Sequence, residues 1–241
     1  MTDADALLAR LTSAPDEAGI FLDFDGVLAP IVSRPEDAYP PPETRAELER
    51  LVARYALVGV VSGRAGDDVS ARVGVDGIVY VGSHGLELDP DAQRWRQTIR
   101  DFASSVAWSE QHTELKGLTV AFHFRHLADE RAAVRELEVV AARATDEGLV
   151  ARFGRKVLEV LPPIGSNKGT AVRHLLDGAG LTRALVAGDD TTDIDSFVAI
   201  DDMENGVRVA VMTPESPEVL RDYADIVVGS TEEFLGLLHR L

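Results

Sequence analysis

Three short apolar segments of this chain each end in a cluster of acidic or hydroxyl residues, and this repeated arrangement limits the folds available to it. The segments cover residues 20–22, 56–61 and 184–187, and they are followed by Asp-Phe-Asp-Gly, Ser-Gly-Arg and Gly-Asp-Asp. Short apolar runs bounded by polar residues are typical of buried strands. Because ligands bind beyond the carboxyl ends of the strands in an open parallel sheet, we expect the three polar clusters to meet in one crevice.

The order of the predicted elements favours an α/β fold. Strands and helices alternate over 19–82 and again over 167–240, which predicts βαβ units and a parallel, Rossmann-like sheet. Residues 89–163 break this rhythm with two apparent helices and three strand-like runs. We therefore predict a core formed by 1–88 and 164–241, interrupted by an inserted α+β subdomain of a size normal for a small domain.

Composition excludes several classes of function. The net charge of −17 argues against nucleic acid or anionic membrane as a partner, since both need basic surface. Cysteine is absent, so disulfides, thiol catalysis and cysteine-ligated zinc are excluded. The first ten residues lack the pattern of a signal peptide, and no apolar stretch approaches the ~18 residues that span a membrane. We expect a monomeric cytoplasmic protein that acts on a small molecule.

Asp23 and Asp25 stand two residues apart, directly after the first apolar segment. In an extended chain such residues share a face, and two ionised carboxylates this close repel unless a proton or a cation lies between them. Mg²⁺ suits the position because it accepts carboxylates together with phosphate oxygens. We predict phosphoryl transfer in which Asp23 attacks phosphorus and Asp25 is the general acid and base. The alternative is an acidic turn without chemistry.

The second cluster and one lysine offer groups that would complete such a site. Ser62 and Gly63 provide a hydroxyl and free backbone amides for a phosphate oxygen. Lys168 stands at a predicted helix start, where a cation opposes the helix dipole, so its placement makes sense if it neutralises phosphate and the nucleophilic carboxylate. An ordinary strand–helix turn and a solvated surface lysine are the alternatives.

The third cluster contains four carboxylates within seven residues. Asp189 directly follows a buried run, so its charge needs a counter-ion. We predict that it binds the metal ion together with Asp23 and Asp25. Its neighbours Asp190 and Asp193 are expected to lie behind these ligands.

Taken in chain order, the clusters resemble the four motifs of the haloacid dehalogenase (HAD) superfamily of phosphatases. The resemblance implies a HAD core in which the nucleophile, the acid/base, the phosphate hydroxyl, the lysine and the metal carboxylate fall on Asp23, Asp25, Ser62, Lys168 and Asp189. Val27 stands where threonine is usual, but its backbone amide is retained. The insertion at 89–163 matches the position of the C2-type cap, which in the superfamily excludes water and contacts the substrate.

Several segments resemble trehalose-6-phosphate phosphatases in particular, over nearly the whole chain from about residue 19. These segments are 22–26, 61–64, 82–87, 114–117, 122–125, 154–159, 167–169 and 188–197. The resemblance implies Mg²⁺-dependent hydrolysis of trehalose 6-phosphate through an aspartyl phosphate. In that family, cap residues grip the sugar hydroxyls, and here they correspond to Glu114, Lys116, Arg155 and Glu159.

Three other functions remain open from the sequence. Another capped HAD sugar phosphatase, acting on sucrose phosphate or a mannosyl phosphate, would keep the core clusters and differ in the cap. A signalling receiver domain also uses acidic residues, an aspartyl phosphate and a lysine, but the inserted subdomain has no role in a receiver. A catalytically inactive binding protein is disfavoured because every required group is present.

Overall fold

The structure, a computed structural model, describes residues 3–125, 127–154, 156–214 and 216–241. The chain divides into two compact units. The first combines the part up to Gly85 with Ser166–Leu241, and the second is Leu86–Gly165. The boundaries that the sequence predicts, 88/89 and 163/164, lie within three residues of these divisions.

Ten strands and eight α-helices are present in the described part of the chain. The strands are β1 (Ala18–Leu22), β2 (Leu57–Val61), β3 (Val79–Val81), β4 (Thr113–Leu115), β5 (Val120–His123), β6 (Val150–Gly154), β7 (Val157–Leu161), β8 (Arg183–Gly188), β9 (Asn205–Val211) and β10 (Ile226–Val228). The helices are α1 (Asp3–Thr12), α2 (Pro42–Arg54), α3 (Gly66–Val73), α4 (Arg96–Ser105), α5 (Glu130–Asp146), α6 (Lys168–Ala179), α7 (Ile194–Val198) and α8 (Thr231–Leu238). None of these helices is long and apolar enough to cross a membrane.

A parallel sheet of six strands, in the order β10-β9-β8-β1-β2-β3, organises the first unit. All five residues of β1 are buried, as its apolar sequence predicts. This strand pairs in parallel with β2 and β8, so that Leu22 lies opposite Val60 on one side and Ala187 on the other. The residues that follow these three strands therefore lie along one edge of the sheet, and the predicted α/β class is confirmed.

A large apolar cluster of the first unit lies on one face of the sheet. Apolar side chains of β1, β2, β8 and β9 pack there against helices α1, α2 and α8. Removing this much apolar surface from water is what holds the strand register in place. The polar strand ends are thus carried by strands whose side chains are buried.

Helix α6 starts at a well-defined residue. The Asn167 side chain accepts a hydrogen bond from the backbone N–H of Thr170 at 2.8 Å, and the Thr170 hydroxyl accepts one from the backbone N–H of Asn167 at 2.9 Å. This reciprocal capping satisfies two backbone donors and fixes the entry of the chain into the helix. Lys168, the first residue of α6, consequently has a fixed backbone position.

The second unit is an antiparallel sheet of four strands in the order β4-β5-β7-β6. Helices α4 and α5 cover one face, where Phe122, Leu158 and Leu137 belong to a common apolar cluster. This α+β arrangement is the one that the sequence predicts for the insertion. Strand β4 is not among the predicted strands, because it is only three residues long and so short a strand shows no alternation of apolar and polar residues.

Candidate active site

Three buried carboxylates meet at the carboxyl edge of the parallel sheet. Asp23 follows β1, Asp189 follows β8, and Asp193 belongs to the short turn between β8 and α7. One oxygen from each lies within 4.8 Å of the others. Their side chains have almost no exposure, so their mutual repulsion is poorly screened by water.

Lys168 is the cation that faces this cluster. Its Nζ lies 3.0 Å from Asp23 Oδ1 and 2.7 Å from Asp193 Oδ1, and its side chain is only 3% exposed. Burial by itself lowers the pKa of this ammonium, but Asp193 and Asp23 outweigh burial and raise the pKa above its usual value. The ammonium therefore stays charged, and it offsets only part of the carboxylate charge around it.

The pKa of the Asp23 carboxyl lies well above its usual range. Burial is the main cause, and the charges of Asp193 and Asp189 add to it, while Lys168 acts in the opposite direction. A second cation would relieve this excess of negative charge. The cluster thus has the electrostatics of a cation-binding site.

We expect Asp23→Asn to make the metal-free protein more stable. A carboxyl whose pKa is raised by folding contributes stability at low pH, and that contribution is lost as the pH rises towards its folded pKa. Because the amide does not titrate, the variant should have a higher Tm than wild type when both are unfolded by heat at neutral pH in the presence of a chelator. Each kcal/mol gained in the free energy of unfolding raises Tm by about 2–4 °C. Asp202→Asn, which removes an exposed carboxylate paired with Arg173, is the control and should not raise Tm. A lower Tm for Asp23→Asn at neutral pH would contradict the expectation.

Asp193 also holds the backbone of the acidic turn. Its Oδ2 accepts hydrogen bonds from the N–H groups of Asp189 and Asp190 at 3.0 and 3.1 Å. A Cβ at Gly188 would lie 2.2 Å from the Cβ of Asp193, so only glycine fits there. The sequence predicts Asp193 behind the metal ligands, whereas in the structure its carboxylate lies within the cluster itself.

Asp25 does not belong to the cluster. Its two carboxylate oxygens accept hydrogen bonds from Arg64 Nε at 2.7 Å and from Arg64 Nη2 at 2.9 Å. The Arg64 side chain is 8% exposed, so its buried charge needs this two-point partner. The Asp25 carboxylate thus pairs with Arg64, for which the sequence predicts no role, and the binding of a metal ion by Asp25 stays a prediction.

Ser62 and Gly63 lie at the end of β2, next to the strand that carries Asp23. Ser62 is buried, and its Oγ accepts a hydrogen bond from the backbone N–H of Arg64 at 3.2 Å. Gly63 packs against an imidazole, since a Cβ built on it would lie 2.6 Å from Cε1 of His84. The loop is therefore compact, and its backbone approaches a neighbouring side chain more closely than any other residue type would permit.

A separate polar cluster lies on the sheet of the second unit. Lys116 Nζ lies 3.3 Å from Glu159 Oε1 and 3.9 Å from Glu114 Oε2. Glu159 also accepts a hydrogen bond from Thr119 Oγ1 at 3.3 Å, and Glu114 Oε2 lies 3.0 Å from His123 Nε2. Three of the four predicted sugar-binding residues are thus neighbours, and the fourth, Arg155, lies outside the described residues.

Comparison with known proteins agrees with this architecture. A family model described as trehalose-phosphatase matches residues 21–223. The trehalose-phosphate phosphatase of Mycobacterium marinum is 36% identical over 214 residues, which cover 80% of this chain and 53% of that protein. The chain spans about half the length of the curated relatives it matches.

Solved structures show the same fold. A trehalose-6-phosphate phosphatase related protein superposes with a TM-score of 0.71 at 25% identity, covering 92% of this chain and 95% of that one. The C-terminal domain of the trehalose-6-phosphate phosphatase of C. albicans gives 0.74 at 20% identity, covering 98% and 96%. A haloacid dehalogenase-like hydrolase from Bacteroides thetaiotaomicron gives 0.61 at 15% identity, covering 93% and 99%.

The parallel sheet, interrupted by an inserted subdomain, gives the chain a HAD-like fold. Within that class, the chain belongs to the trehalose-phosphatase family. The family resemblance that the sequence predicts is therefore confirmed.

Membership in this class implies a divalent metal ion, and the residues present fit one. Three buried carboxylate groups supply hard oxygen donors, and a single lysine leaves them with excess negative charge. Oxygen donors of this kind suit Mg²⁺, Ca²⁺ or Mn²⁺ better than softer metals.

Proposed function

We propose that this protein hydrolyses trehalose 6-phosphate to trehalose and inorganic phosphate. The observation that carries the proposal is the contact of Lys168 with Asp23, beside Asp189, at the ends of neighbouring parallel strands. A carboxylate held against an ammonium in a water-poor site is suited to attack phosphorus. Family membership supports the choice of a trehalose phosphate as the substrate.

The reaction proceeds in two displacements. An oxygen of Asp23 bonds to phosphorus while the bond from phosphorus to the sugar oxygen breaks, and Asp25 gives its proton to the departing alkoxide. Water then attacks the phosphorus of the aspartyl phosphate, Asp25 takes the proton from that water, and Asp23 is released. Arg64 orients Asp25 through its two hydrogen bonds.

We assign Mg²⁺ as the metal, with Asp23 and Asp189 as its carboxylate ligands and Asp25 as the third ligand predicted from the sequence. When bound, the ion supplies charge neutralisation for the phosphoryl oxygens. Asp193 supports this site by fixing the backbone of Asp189 and the position of Lys168.

The remaining core groups bind the phosphoryl oxygens. Lys168 provides a compact positive charge next to the nucleophile, and its burial makes that charge effective. The hydroxyl of Ser62 and the backbone N–H of Gly63 act as hydrogen-bond donors. These groups require no ordering at the moment of reaction, because the strands and the capped helix already hold them.

The polar cluster of the second unit, which we interpret as a cap, binds the sugar. Glu114 and Glu159 accept hydrogen bonds from hydroxyl groups, and Lys116 donates to them, as a neutral polyhydroxyl ligand requires. Arg155 is proposed as the fourth member from the sequence resemblance alone. The contacts of Lys116 with Glu114 and Glu159 offset part of the carboxylate charge when no sugar is bound.

We expect Glu159→Ala to raise KM for trehalose 6-phosphate by about 10-fold or more, because a hydrogen bond to a charged group is lost. The KM for p-nitrophenyl phosphate, which has no sugar, should change by less than about twofold. Steady-state kinetics with both substrates measure the difference, and Glu138→Ala on α5, whose side chain is exposed, is the control. Equal effects on the two substrates would reject the sugar-binding role.

Phosphate release from a panel of sugar phosphates tests the proposed function directly. We expect trehalose 6-phosphate to have the highest kcat/KM. A preference for sucrose phosphate or a mannosyl phosphate would keep the chemistry and change the substrate. A stable phosphoprotein with no turnover would instead support a receiver.

We also propose that the protein is a cytoplasmic monomer. Its net charge of −17 keeps copies apart by repulsion. Size-exclusion chromatography at physiological ionic strength should give the mass of one chain, 26.0 kDa. Elution at twice that mass would contradict the proposal.

A further inference from the structure

Three consecutive residues after β3 have left-handed backbone angles. Ser83, His84 and Gly85 have φ values of 51°, 54° and 98°. Glycine adopts such angles without strain, but serine and histidine do not. Two neighbouring residues of this kind persist only where the surroundings hold them, and such strain clusters at functional sites.

The same segment also buries a hydroxyl at a cost. Ser83 has no exposed surface, and its Oγ has no hydrogen-bond partner among the residues that the structure describes. A buried polar atom without a partner is unfavourable and calls for an explanation. Backbone strain and an unsatisfied hydroxyl in one short segment indicate that it is not selected for stability.

On one side, the segment contacts the loop formed by residues 62–64. The N–H of Ser83 donates to the Arg64 carbonyl at 2.7 Å, and the N–H of His84 donates to the Ser62 carbonyl at 2.9 Å. The His84 ring lies directly against the Cα of Gly63, where a Cβ would come within 2.6 Å of it. The backbone and a side chain together thus fix the loop that carries the Ser62 hydroxyl and the Gly63 amide.

On the other side, the segment contacts the start of α6. A Cβ on Gly85 would lie 2.5 Å from the carbonyl oxygen of Asn167 and 3.0 Å from Cβ of Ala171. Asn167 is the N-cap residue directly before Lys168. The left-handed segment is therefore in contact with both parts of the core that carry the phosphate-binding groups.

We propose that residues 83–85 are a positioning segment that sets the spacing between the 62–64 loop and Lys168. Within this segment, the His84 ring packs against Gly63 and fixes the position of its backbone amide. This inference rests on the proposed function, because Ser62, Gly63 and Lys168 bind the phosphoryl group there. His84 acts through Gly63 and takes no part in the chemistry itself.

A double-mutant cycle at the contact between Gly63 and His84 tests the proposal. Gly63→Ala places a methyl group against the imidazole, and the backbone at Gly63 has no left-handed angle that alanine would strain. We expect this variant to bind inorganic phosphate about 10-fold more weakly, measured as competitive inhibition of p-nitrophenyl phosphate hydrolysis. His84→Ala alone should weaken phosphate binding about threefold, because the 62–64 loop loses its contact with the ring.

The double variant, Gly63→Ala with His84→Ala, decides the question. Removing the ring makes room for the new methyl group, so phosphate binding should recover to within about threefold of wild type. Recovery requires that the two residues act through their contact. A double variant as weak as Gly63→Ala, or a Gly63→Ala variant with wild-type phosphate affinity, would overturn the proposal.

A second pair of variants tests the other contact. Gly85→Ala and Gly180→Ala each place alanine at a positive φ, but only at Gly85 would the new Cβ meet neighbouring atoms within 4 Å. Both should lower Tm, whereas only Gly85→Ala should weaken phosphate inhibition and raise KM for both phosphate esters. Equal phosphate affinity in the two variants would overturn the positioning role. Failure of the proposed phosphatase chemistry is a distinct result, because the wild-type protein would then release no phosphate from any ester.

Discussion

Asp23→Asn should abolish turnover of trehalose 6-phosphate and p-nitrophenyl phosphate alike. The amide oxygen is a poor nucleophile, and the loss of a covalent nucleophile lowers kcat by roughly 10⁴–10⁶-fold in enzymes of this kind of mechanism. The loss should be the same for both esters, because the step that fails does not involve the sugar. Continuous release of phosphate, measured with Mg²⁺ present, is the appropriate assay.

The control for this variant is Asp202→Asn, whose carboxylate is exposed and pairs with Arg173 away from the cluster. It should retain wild-type kcat. Quenching wild-type protein during turnover should also leave phosphate covalently attached at Asp23, in an acid-stable but hydroxylamine-labile form. An Asp23→Asn variant with near wild-type kcat would show that another residue attacks phosphorus.

Lys168→Met should lower kcat by about 10²–10³-fold, since it removes a preorganised charge at the position where phosphoryl charge develops. It also leaves Asp23 and Asp193 without their shared cation, and breaking a buried ion pair costs about 3–5 kcal/mol of stability. The activity must therefore be compared at a temperature well below the Tm of the variant. Circular dichroism at that temperature confirms that the comparison concerns folded protein.

Lys168→Gln provides a second test, because it keeps hydrogen-bond donors and removes the charge. It should be folded and nearly as inactive as Lys168→Met. Arg173→Met, a loss of positive charge on the outer side of the same helix, should leave kcat unchanged. A Lys168→Gln variant with wild-type kcat would mean that the charge is not required.

The positions of the candidate site residues in the first unit could be predicted because a buried parallel strand has a recognisable sequence pattern. A buried parallel strand has to read as an apolar run, and its carboxyl end has to lie beside those of its neighbours. Asp23, Ser62 and Asp189 were located by this reasoning, and the register of β1 with β2 and β8 places them at one edge. The role of Lys168 was predicted from its position at the start of a helix, where a cation opposes the helix dipole.

Side-chain pairings beyond the strand ends could not be predicted in the same way. The two-residue period puts Asp23 and Asp25 on one face only while the chain stays extended, and β1 already ends at Leu22, with a turn beginning at Phe24. Asp25 consequently meets Arg64, which comes from a loop 39 residues later. The sequence contains no signal for that contact, nor for the entry of Asp193 into the acidic cluster.

The sugar-binding candidates illustrate a different limit. Strand β4 is three residues long, too short for alternation to be detected, so Glu114 and Lys116 were identified only through the family resemblance. The left-handed angles of Ser83 and His84 are also absent from the sequence pattern. In the sequence, a Ser-His-Gly run looks like an ordinary turn. Only the structure shows the carbonyl groups that accept hydrogen bonds from its backbone.

Gly85 and Asn167, which touch each other, stand just before and just after the inserted unit. The polypeptide thus departs from the parallel-sheet unit and returns to it at adjoining points. An insert joined in this manner can be lengthened, shortened or exchanged during evolution while the strand order and register stay as they are. Under the proposed function, new ester preferences can then arise by exchange of the inserted unit, while the residues at the strand ends are retained.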